Sequence, residues 1–465
     1  MESSKMLKRI LVILVLVLAS FFTTFAQESD MLSLQDCIDI ALSNNYELRV
    51  AQLSLELADQ DIVTSRSSWL PHVNSSFNFG KFIQGQRTER MDVQVGVDSS
   101  VIPPRVIIQE RDVQIGKTER NSYSVSISLD QHIYDFGRTS NRIREAKAYK
   151  QYQEHNLFNT RNLVMANVAD KYFELLKAIK LRDVYEEATK HAEENLAYNE
   201  TMLDVGLKSK AEIFQARVNL GNRKTDLINQ INRIELAKAA LNSAMGQNPA
   251  IPIEIQEDMP KPFFSAYSFD EAVEIALENN DRLKAIENQV QASEYAIRSA
   301  KAQYAPSIGA RVSYNRDNDD ISRVYSTNFD EDYTATIGAG ISLNIFNGLA
   351  DKAEVQRQRL NNEMALEKLK EEKRILITNI REYFLMLKSF EDLIRINQEN
   401  LEAYQENLRL QTEKRRVGSG TELEVMAAQV DVIQAQETLV RAEYEAKIYR
   451  AYLDAALGII EQKVN

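Results

Sequence analysis

The sequence has one cysteine and four histidines in 465 residues. A single cysteine excludes an intramolecular disulfide framework and a cysteine-based metal cluster. The histidines His72, His132, His155 and His191 lack the spacing of a metal-ligand set. The sequence also lacks a phosphate-binding glycine loop and a nucleophile paired with a general base. We therefore expect no catalytic residues, no cofactor and no metal site.

Glycine and proline are also scarce, with 15 and 8 residues respectively. The glycine content is about half and the proline content about a third of the usual value, which disfavours a loop-rich all-β protein or a doubly wound enzyme. Long segments rich in Glu, Lys, Gln, Asn and Ala favour long helices instead. The 56 basic and 68 acidic residues give a net charge of −12. An acidic protein of this kind is not expected to bind nucleic acid.

The N-terminus has the pattern of a secretory signal. Three basic residues precede an apolar run at 10–22, and Thr24-Phe25-Ala26 follows, with small residues at 24 and 26. The run is too short to span a bilayer comfortably. We therefore predict a cleaved signal peptide at 1–26, with an uncleaved membrane anchor as the alternative.

The rest of the chain is an internal duplication. Residues 33–45 overlay 268–280 without a gap, and both segments contain the pattern Ala-Leu-x-Asn-Asn. A second ungapped register, farther along, places Gly206 on Gly418 and Gly246 on Gly458. The predicted divisions are a first repeat at 27–246, a proline-rich linker at 247–267, a second repeat at 268–458 and a tail at 459–465.

Each repeat has the predicted order helix, strand, strand, long helix, helix. In the first repeat the elements are a helix at 34–68, strands at 72–79 and 122–134, a long helix at 138–205 and a helix at 209–246. In the second repeat they are a helix at 269–303, strands at 307–315 and 333–346, a long helix at 351–417 and a helix at 421–458. Residues 81–121 are predicted to form a long polar connector on the extracellular side.

The strands alternate apolar and polar residues over lengths close to the ~9–11 residues that a tilted transmembrane strand needs. A soluble, half-buried sheet would alternate in the same way. The signal peptide and the strand number favour the membrane alternative, because four strands are too few to close a barrel. Three chains would supply twelve strands. The matching helix lengths also predict two helical columns per repeat, and hence twelve columns per trimer.

The two turns between the long and return helices have similar sequences. Gly206 and Gly418 are placed to end one helix, and Ser209 and Thr421 open a Ser/Thr-x-x-Glu pattern that starts the next. A purely structural helical hairpin explains these residues as well.

Taken together, these features resemble the TolC-like family of outer-membrane efflux and secretion ducts, over nearly all of the mature chain. The resemblance rests on the duplicated unit, the paired Ala-Leu-x-Asn-Asn segments, the prolines at 71 and 306, the Ile-Tyr-Asp-Phe-Gly-Arg run at 133–138 and the two Val-Gly turns. It implies a mainly α fold with membrane β structure: a homotrimer with a 12-stranded β-barrel in the outer-membrane lipid and a long α-helical barrel in the periplasm.

The same resemblance implies a function and partners. The chain would be the outer-membrane duct of a tripartite efflux or type I secretion system, acting with a periplasmic adaptor protein and an inner-membrane pump. A non-transporting periplasmic coiled-coil scaffold or a surface adhesin is the alternative.

The resemblance also implies two sets of functional residues. The adaptor would contact the turns through Val205, Gly206, Leu207, Ser209, Val417, Gly418, Ser419 and Thr421. A periplasmic gate would use Glu424 and Glu212, with Arg415 and Arg416 close enough in sequence to pair with Glu424. A second acid expected after Glu424 is absent, because Ala427 and Ala428 occupy that stretch. A helix-capping role for Glu424 is the alternative.

Overall fold

The computed structural model describes residues 31–206, 208–257 and 267–460. The predicted signal peptide, most of the predicted tail and Leu207 lie outside the described residues. The chain divides into two compact units. The first comprises Met1–Leu55, Tyr152–Glu287 and Lys368–Asn465, and the second comprises Glu56–Gln151 and Asn288–Glu367.

Helices dominate the described residues. In chain order they are α1 (Leu34–Asn44), α2 (Tyr46–Ser67), α3 (Arg138–Asp204), α4 (Lys210–Ala244), α5 (Phe269–Asn279), α6 (Asp281–Lys301), the short α7 (Ile321–Val324), α8 (Ala350–Arg416) and α9 (Glu422–Ala456). The long helices α3 and α8 have 67 residues each. None of the described helices has the apolar length that a membrane-crossing helix needs.

The first helix of each repeat is interrupted, which the sequence pattern did not predict. Asn45 and Asn280 have extended backbones between the two helical segments. The side-chain oxygen of Asn45 accepts the N–H of Glu47 at 2.8 Å, and that of Asn280 accepts the N–H of Leu283 at 3.0 Å. Each asparagine thus ends one helix and caps the next, so the predicted single helices at 34–68 and 269–303 are wrong at this point.

The second unit contains all the strands in the described part of the chain. They are β1 (His72–Gln84), β2 (Arg87–Asp98), β3 (Arg105–Ile115), β4 (Thr118–Tyr134), β5 (Ser307–Asn318) and β6 (Thr334–Ser342). An antiparallel sheet has the order β1-β4-β5-β6, and β2 pairs with β3 in a separate antiparallel sheet. Strands β1 and β6 are therefore the two edges of the four-stranded sheet.

The first strand pair is longer than predicted. Residues 81–121, predicted as a connector, contain the end of β1, all of β2 and β3, and the start of β4. Charged residues interrupt the alternation in this region, and a register shift between Gln94 and Gly96 breaks it again. In the second repeat the last strand ends at Ser342, before the predicted boundary at 346.

The main apolar core lies in the first unit and packs α1 against the middle of α3 and the C-terminal part of α4. Cys37 is fully buried in this core, and burial raises the pKa of its thiol to about 12. A second cluster contains Ala272 and Ala276 of α5, which match Cys37 and Ala41 of the first repeat. Both repeats thus bury the same face of their first helix.

Candidate functional site

The candidate site consists of two tip turns, defined as residues 205–209 and 417–421. Gly206 and Gly418 have φ angles of +78° and +79°, a conformation that favours glycine. The Gly206 N–H donates to the carbonyl of Leu203 at 2.9 Å, and the Gly418 N–H donates to the carbonyl of Arg415 at 3.1 Å. Both glycines therefore end their helices in the predicted way.

The predicted capping boxes are confirmed in both tip turns. The Ser209 N–H donates to Glu212 at 2.8 Å, and the Glu212 N–H donates to the Ser209 hydroxyl at 3.4 Å. The corresponding distances for Thr421 and Glu424 are 2.7 and 3.3 Å. Glu424 thus caps α9, which was the alternative to a gating role. Its carboxylate lies beside the turn.

The two turns differ in the residue that precedes the helix cap. The N–H of Gly420 donates to the carbonyl of Lys414 at 3.0 Å, and a Cβ at 420 would lie 2.9 Å from the backbone nitrogen of Arg415. The first repeat has Lys208 at the matching position, and its Nζ lies 2.7 Å from Glu212. The second turn thus lies so close to its own helix end that a side chain at position 420 would be obstructed.

Hydrogen bonds keep both capping carboxylates anionic. The side chain of Lys208 and the backbone N–H of Ser209 lower the pKa of Glu212 to about 2. The backbone N–H and hydroxyl of Thr421 lower the pKa of Glu424. Each turn thus presents a carboxylate at the N-terminus of a helix, where the helix dipole favours negative charge.

The arginines before the second turn do not pair with Glu424 as expected. Arg415 Nη1 donates to both carboxylate oxygens of Glu422, at 3.2 and 3.1 Å. Arg416 instead pairs with Glu413 on the same helix at 3.0 Å. Positions 413 and 416 are one helical turn apart, whereas Arg415 points across the turn to the first residue of α9.

Glu422 belongs to a cluster that the sequence analysis missed. The side-chain amide of Asn195 donates to Glu422 at 2.7 Å, and the guanidinium of Arg415 lies 4.9 Å from the ring centroid of Tyr198. We call Asn195, Tyr198, Arg415 and Glu422 the tip cluster. It joins α3 of the first repeat to both ends of the second tip turn.

The tip cluster occurs once, although its surroundings are duplicated. The positions that match Arg415 and Glu422 in the first repeat are Leu203 and Lys210, which cannot form this ion pair. The side chains of Arg415 and Glu422 are only 19% and 13% exposed, so solvent screens their interaction less than that of a surface pair.

Apolar side chains are exposed around the turns. Val205 is 63% exposed, and Val417 and Leu423 are 70% and 75% exposed. Exposed apolar residues beside a turn are suited to contact another protein. Among the described residues, no group of three or more His, Cys, Asp or Glu is placed to hold a metal ion.

Comparison with known proteins gives a consistent result over most of the chain. The model of the family described as outer membrane efflux protein matches residues 37–247 and 272–459, one match per repeat. The outer membrane efflux protein BepC of Brucella suis is 20% identical over 431 residues, covering 90% of this chain and 83% of that protein.

Two further proteins show the same similarity. The alkaline protease secretion protein AprF of Pseudomonas aeruginosa is 19% identical over 454 residues, covering 95% of this chain and 88% of AprF. The crystal structure of the open state of the Neisseria gonorrhoeae MtrE outer membrane channel superposes with a TM-score of 0.73 at 19% identity. That superposition covers 92% of this chain and 89% of MtrE.

Proposed function

The chain belongs to the outer membrane efflux protein family, and from this premise we propose that three copies assemble into a passive duct across the outer membrane. The protein is an outer-membrane component of an efflux or secretion system. In the proposed assembly, substrates pass through the shared interior, a periplasmic adaptor and an inner-membrane pump supply the energy, and this chain itself catalyses no reaction.

The observation that carries the proposal is the pairing across the four-stranded sheet. Val73, Leu129, Val312 and Ile337 form one row of cross-strand neighbours, and all four are exposed. The next row contains Asn74, Ser128, Ser313 and Thr336. One face of the sheet is thus apolar and the other polar, which suits a sheet with lipid on one side and water on the other.

The free edges of this sheet support an assembly of several copies. Unpaired strand edges are unfavourable in lipid, because their backbone groups have no water to bond to. If β1 of one copy pairs with β6 of the next, three copies close a barrel of twelve strands. An exposed stripe on α2, formed by Tyr46, Val50, Leu53 and Leu57, has coiled-coil spacing and offers a helical contact between copies.

We propose the tip turns as the adaptor contact, through Val205, Gly206, Leu207, Ser209, Val417, Gly418, Ser419 and Thr421. Their duplicated geometry gives an adaptor two similar hairpins on each copy. Glu212 and Glu424 remain the proposed gate acids. The tip cluster adds Asn195 and Glu422 to this proposal, because the bond from Asn195 to Glu422 and the contact of Arg415 with Tyr198 hold the second hairpin to α3, and their loss would free it.

Cell fractionation with an export assay tests this function. We expect the protein in the outer-membrane fraction, extracted only with detergent, as an oligomer of three copies that separates on heating. Cells that lack the protein should regain export of the cargo when it is restored. A detergent-free monomer would contradict the proposal, whereas a membrane trimer without any effect on export would favour the scaffold or adhesin alternative.

A further inference from the structure

The two-stranded sheet extends the first strand pair beyond the four-stranded sheet. We call β2, β3 and the turn between them the arm, residues 87–115. The pairing of β1 with β4 ends at Gln84 and Thr118, and the pairing of β2 with β3 begins at Arg87 and Ile115. Gly85 and Gly116 lie in the gap between them. A glycine in each of the two connecting segments leaves the backbone free to bend at this level.

The two faces of the arm differ in chemistry. Cross-strand partners lie on the same face of a ribbon. In the half of the arm next to the four-stranded sheet, one face carries four apolar side chains, Met91, Val93, Val113 and Ile115, among the polar Arg87, Glu89, Gln109 and Arg111. The opposite face of this half carries Ile108 and otherwise only polar side chains: Thr88, Arg90, Asp92, Gln94, Glu110, Asp112 and Gln114. Toward the turn this contrast ends, because Ile107 lies on the first face and Val97 and Val106 lie on the opposite one. We call the first face the apolar face of the arm.

This apolar face is partly exposed in the single chain, where Val93, Val113 and Ile115 are half-buried. Met91 and Ile107 are 46% and 45% exposed, and Ile102 at the turn is 96% exposed. Within the described residues, β2 and β3 pair only with each other. An isolated two-stranded ribbon is marginally stable in water and needs packing on one face. A surface that covers its apolar face would therefore stabilise the arm.

We propose that the arms of three copies pack together through their apolar faces, above the extracellular mouth of the duct. This inference rests on the trimer of the proposed function. Strand β1 is the edge at which the next copy would join, and it leads directly into the arm. The arms of neighbouring copies would therefore start at the same end of the barrel. The arm has four basic and five acidic residues, so its near-neutral charge does not oppose self-association.

The dimensions allow the arms to meet. Twelve tilted strands with the usual spacing give a barrel radius of about 12 Å. Strands β2 and β3 have 12 and 11 residues, which corresponds to a length of about 35–40 Å. An arm that bends inward at Gly85 and Gly116 therefore reaches the three-fold axis, and Glu89 of one copy can face Arg111 of another.

Site-directed cross-linking in intact cells tests the inference. The background variant Cys37→Ala removes the native thiol, and Ala272 shows that alanine fits the matching position. Met91→Cys places a thiol on the apolar face, and Asp92→Cys places one on the opposite face at the same level. With a short bismaleimide, we expect covalent dimers from Met91→Cys at least five times more abundant than from Asp92→Cys.

An unheated gel of each variant, run before cross-linking, reports the trimer independently. Equal cross-linking of the two variants, or none from Met91→Cys while the trimer is intact, would overturn the packing of the arms. If the trimer itself is missing, the proposed function fails, and the inference fails with it. The two failures are therefore distinguishable.

Discussion

At the residue scale, two glycine–asparagine contacts fix where helices of one repeat meet. Gly246 has a φ angle of +73°, and a Cβ there would lie 2.6 Å from the carbonyl oxygen of Asn44. The side chain of Asn45 donates to the carbonyl of Ala244 at 3.2 Å. In the second repeat, Asn280 donates to Ala456 at 2.9 Å, beside Gly458. These contacts explain why both the Asn-Asn pair and the glycine occur twice.

Replacing Gly246 by alanine should be costly for two reasons. The left-handed backbone costs an alanine about 1 kcal/mol, and the clash with Asn44 adds about 1–3 kcal/mol. Gly348→Ala is the matched control, because Gly348 has a φ of +70° but open space around it. We expect a clearly larger drop in the thermal midpoint of the detergent-solubilised protein for Gly246→Ala. Equal drops would show that the close approach contributes nothing.

Glu212 predicts a pH dependence of the first tip turn. Its pKa falls from an ordinary 4.5 to about 2 on folding. A lowered pKa stabilises the fold above pH 4.5, and this stabilisation is lost as the pH falls through about 2. The backbone amides of residues 209–213 should therefore lose protection against hydrogen exchange, relative to the intrinsic exchange rate, as the pH falls between these values. Glu212→Gln should abolish this change, and an identical pH response in that variant would refute the assignment.

At the element scale, the tip turns depend on backbone conformations that proline cannot adopt. Proline fixes φ near −65°, whereas Gly206 and Gly418 require positive φ. The helices on either side are long and packed elsewhere, so a change in a turn alters the hairpin end without removing the hairpin.

We therefore expect Gly206→Pro and Gly418→Pro to impair export while the trimer still forms. Export of a cargo, measured beside the unheated gel, checks both statements. Gly221→Ala, within α4 and with open space at its Cβ, is the control that should leave export unchanged. Normal export in both proline variants would contradict the role proposed for the tip turns.

Because Glu422 belongs to the tip cluster, we expect its replacement to change channel opening, whereas replacement of a surface glutamate should not. Glu422→Gln weakens hydrogen bonds to Arg415 and Asn195, at a cost of about 1–3 kcal/mol. We expect more frequent opening of single channels in planar bilayers. Glu413→Gln, which removes only the exposed pair with Arg416, should have little effect. Similar channel records for the two variants would exclude a gating role for the tip cluster.

At the scale of the whole molecule, most long elements follow from sequence pattern, and the exceptions have physical reasons. The boundaries of α3 and α8 could be predicted because no proline or glycine interrupts their 67 residues. The breaks at Asn45 and Asn280 could not, because they depend partly on contacts with residues far away in sequence, such as Ala244. The pairing of Arg415 with Glu422 depends on the path of the turn between them. The strands of the arm could not be predicted, because charged residues interrupt their alternation of apolar and polar side chains.

The proposed trimer makes a further prediction for the molecule as a whole. Cysteine pairs that combine one position in β1 with one in β6 should form disulfides between different copies, because these strands are the two free edges of the sheet. Pairs that combine β1 with β5 should form none, since β4 separates these strands within one copy and β6 would separate them between copies. Denaturing gels without reductant measure both. The absence of every inter-copy disulfide from a panel across the β1 and β6 edges would contradict the closed barrel.

The single occurrence of the tip cluster has a consequence for the binding of an adaptor to the hairpin ends. In the proposed trimer, six hairpins of similar outline form a ring. The contacts of Glu422 with Asn195 and of Arg415 with Tyr198 join the second hairpin to the first hairpin of the same copy, so they occur at every second boundary between hairpins. A ring of adaptor subunits would therefore meet joined and unjoined boundaries in alternation. Chemically identical adaptor molecules would then occupy two inequivalent binding sites.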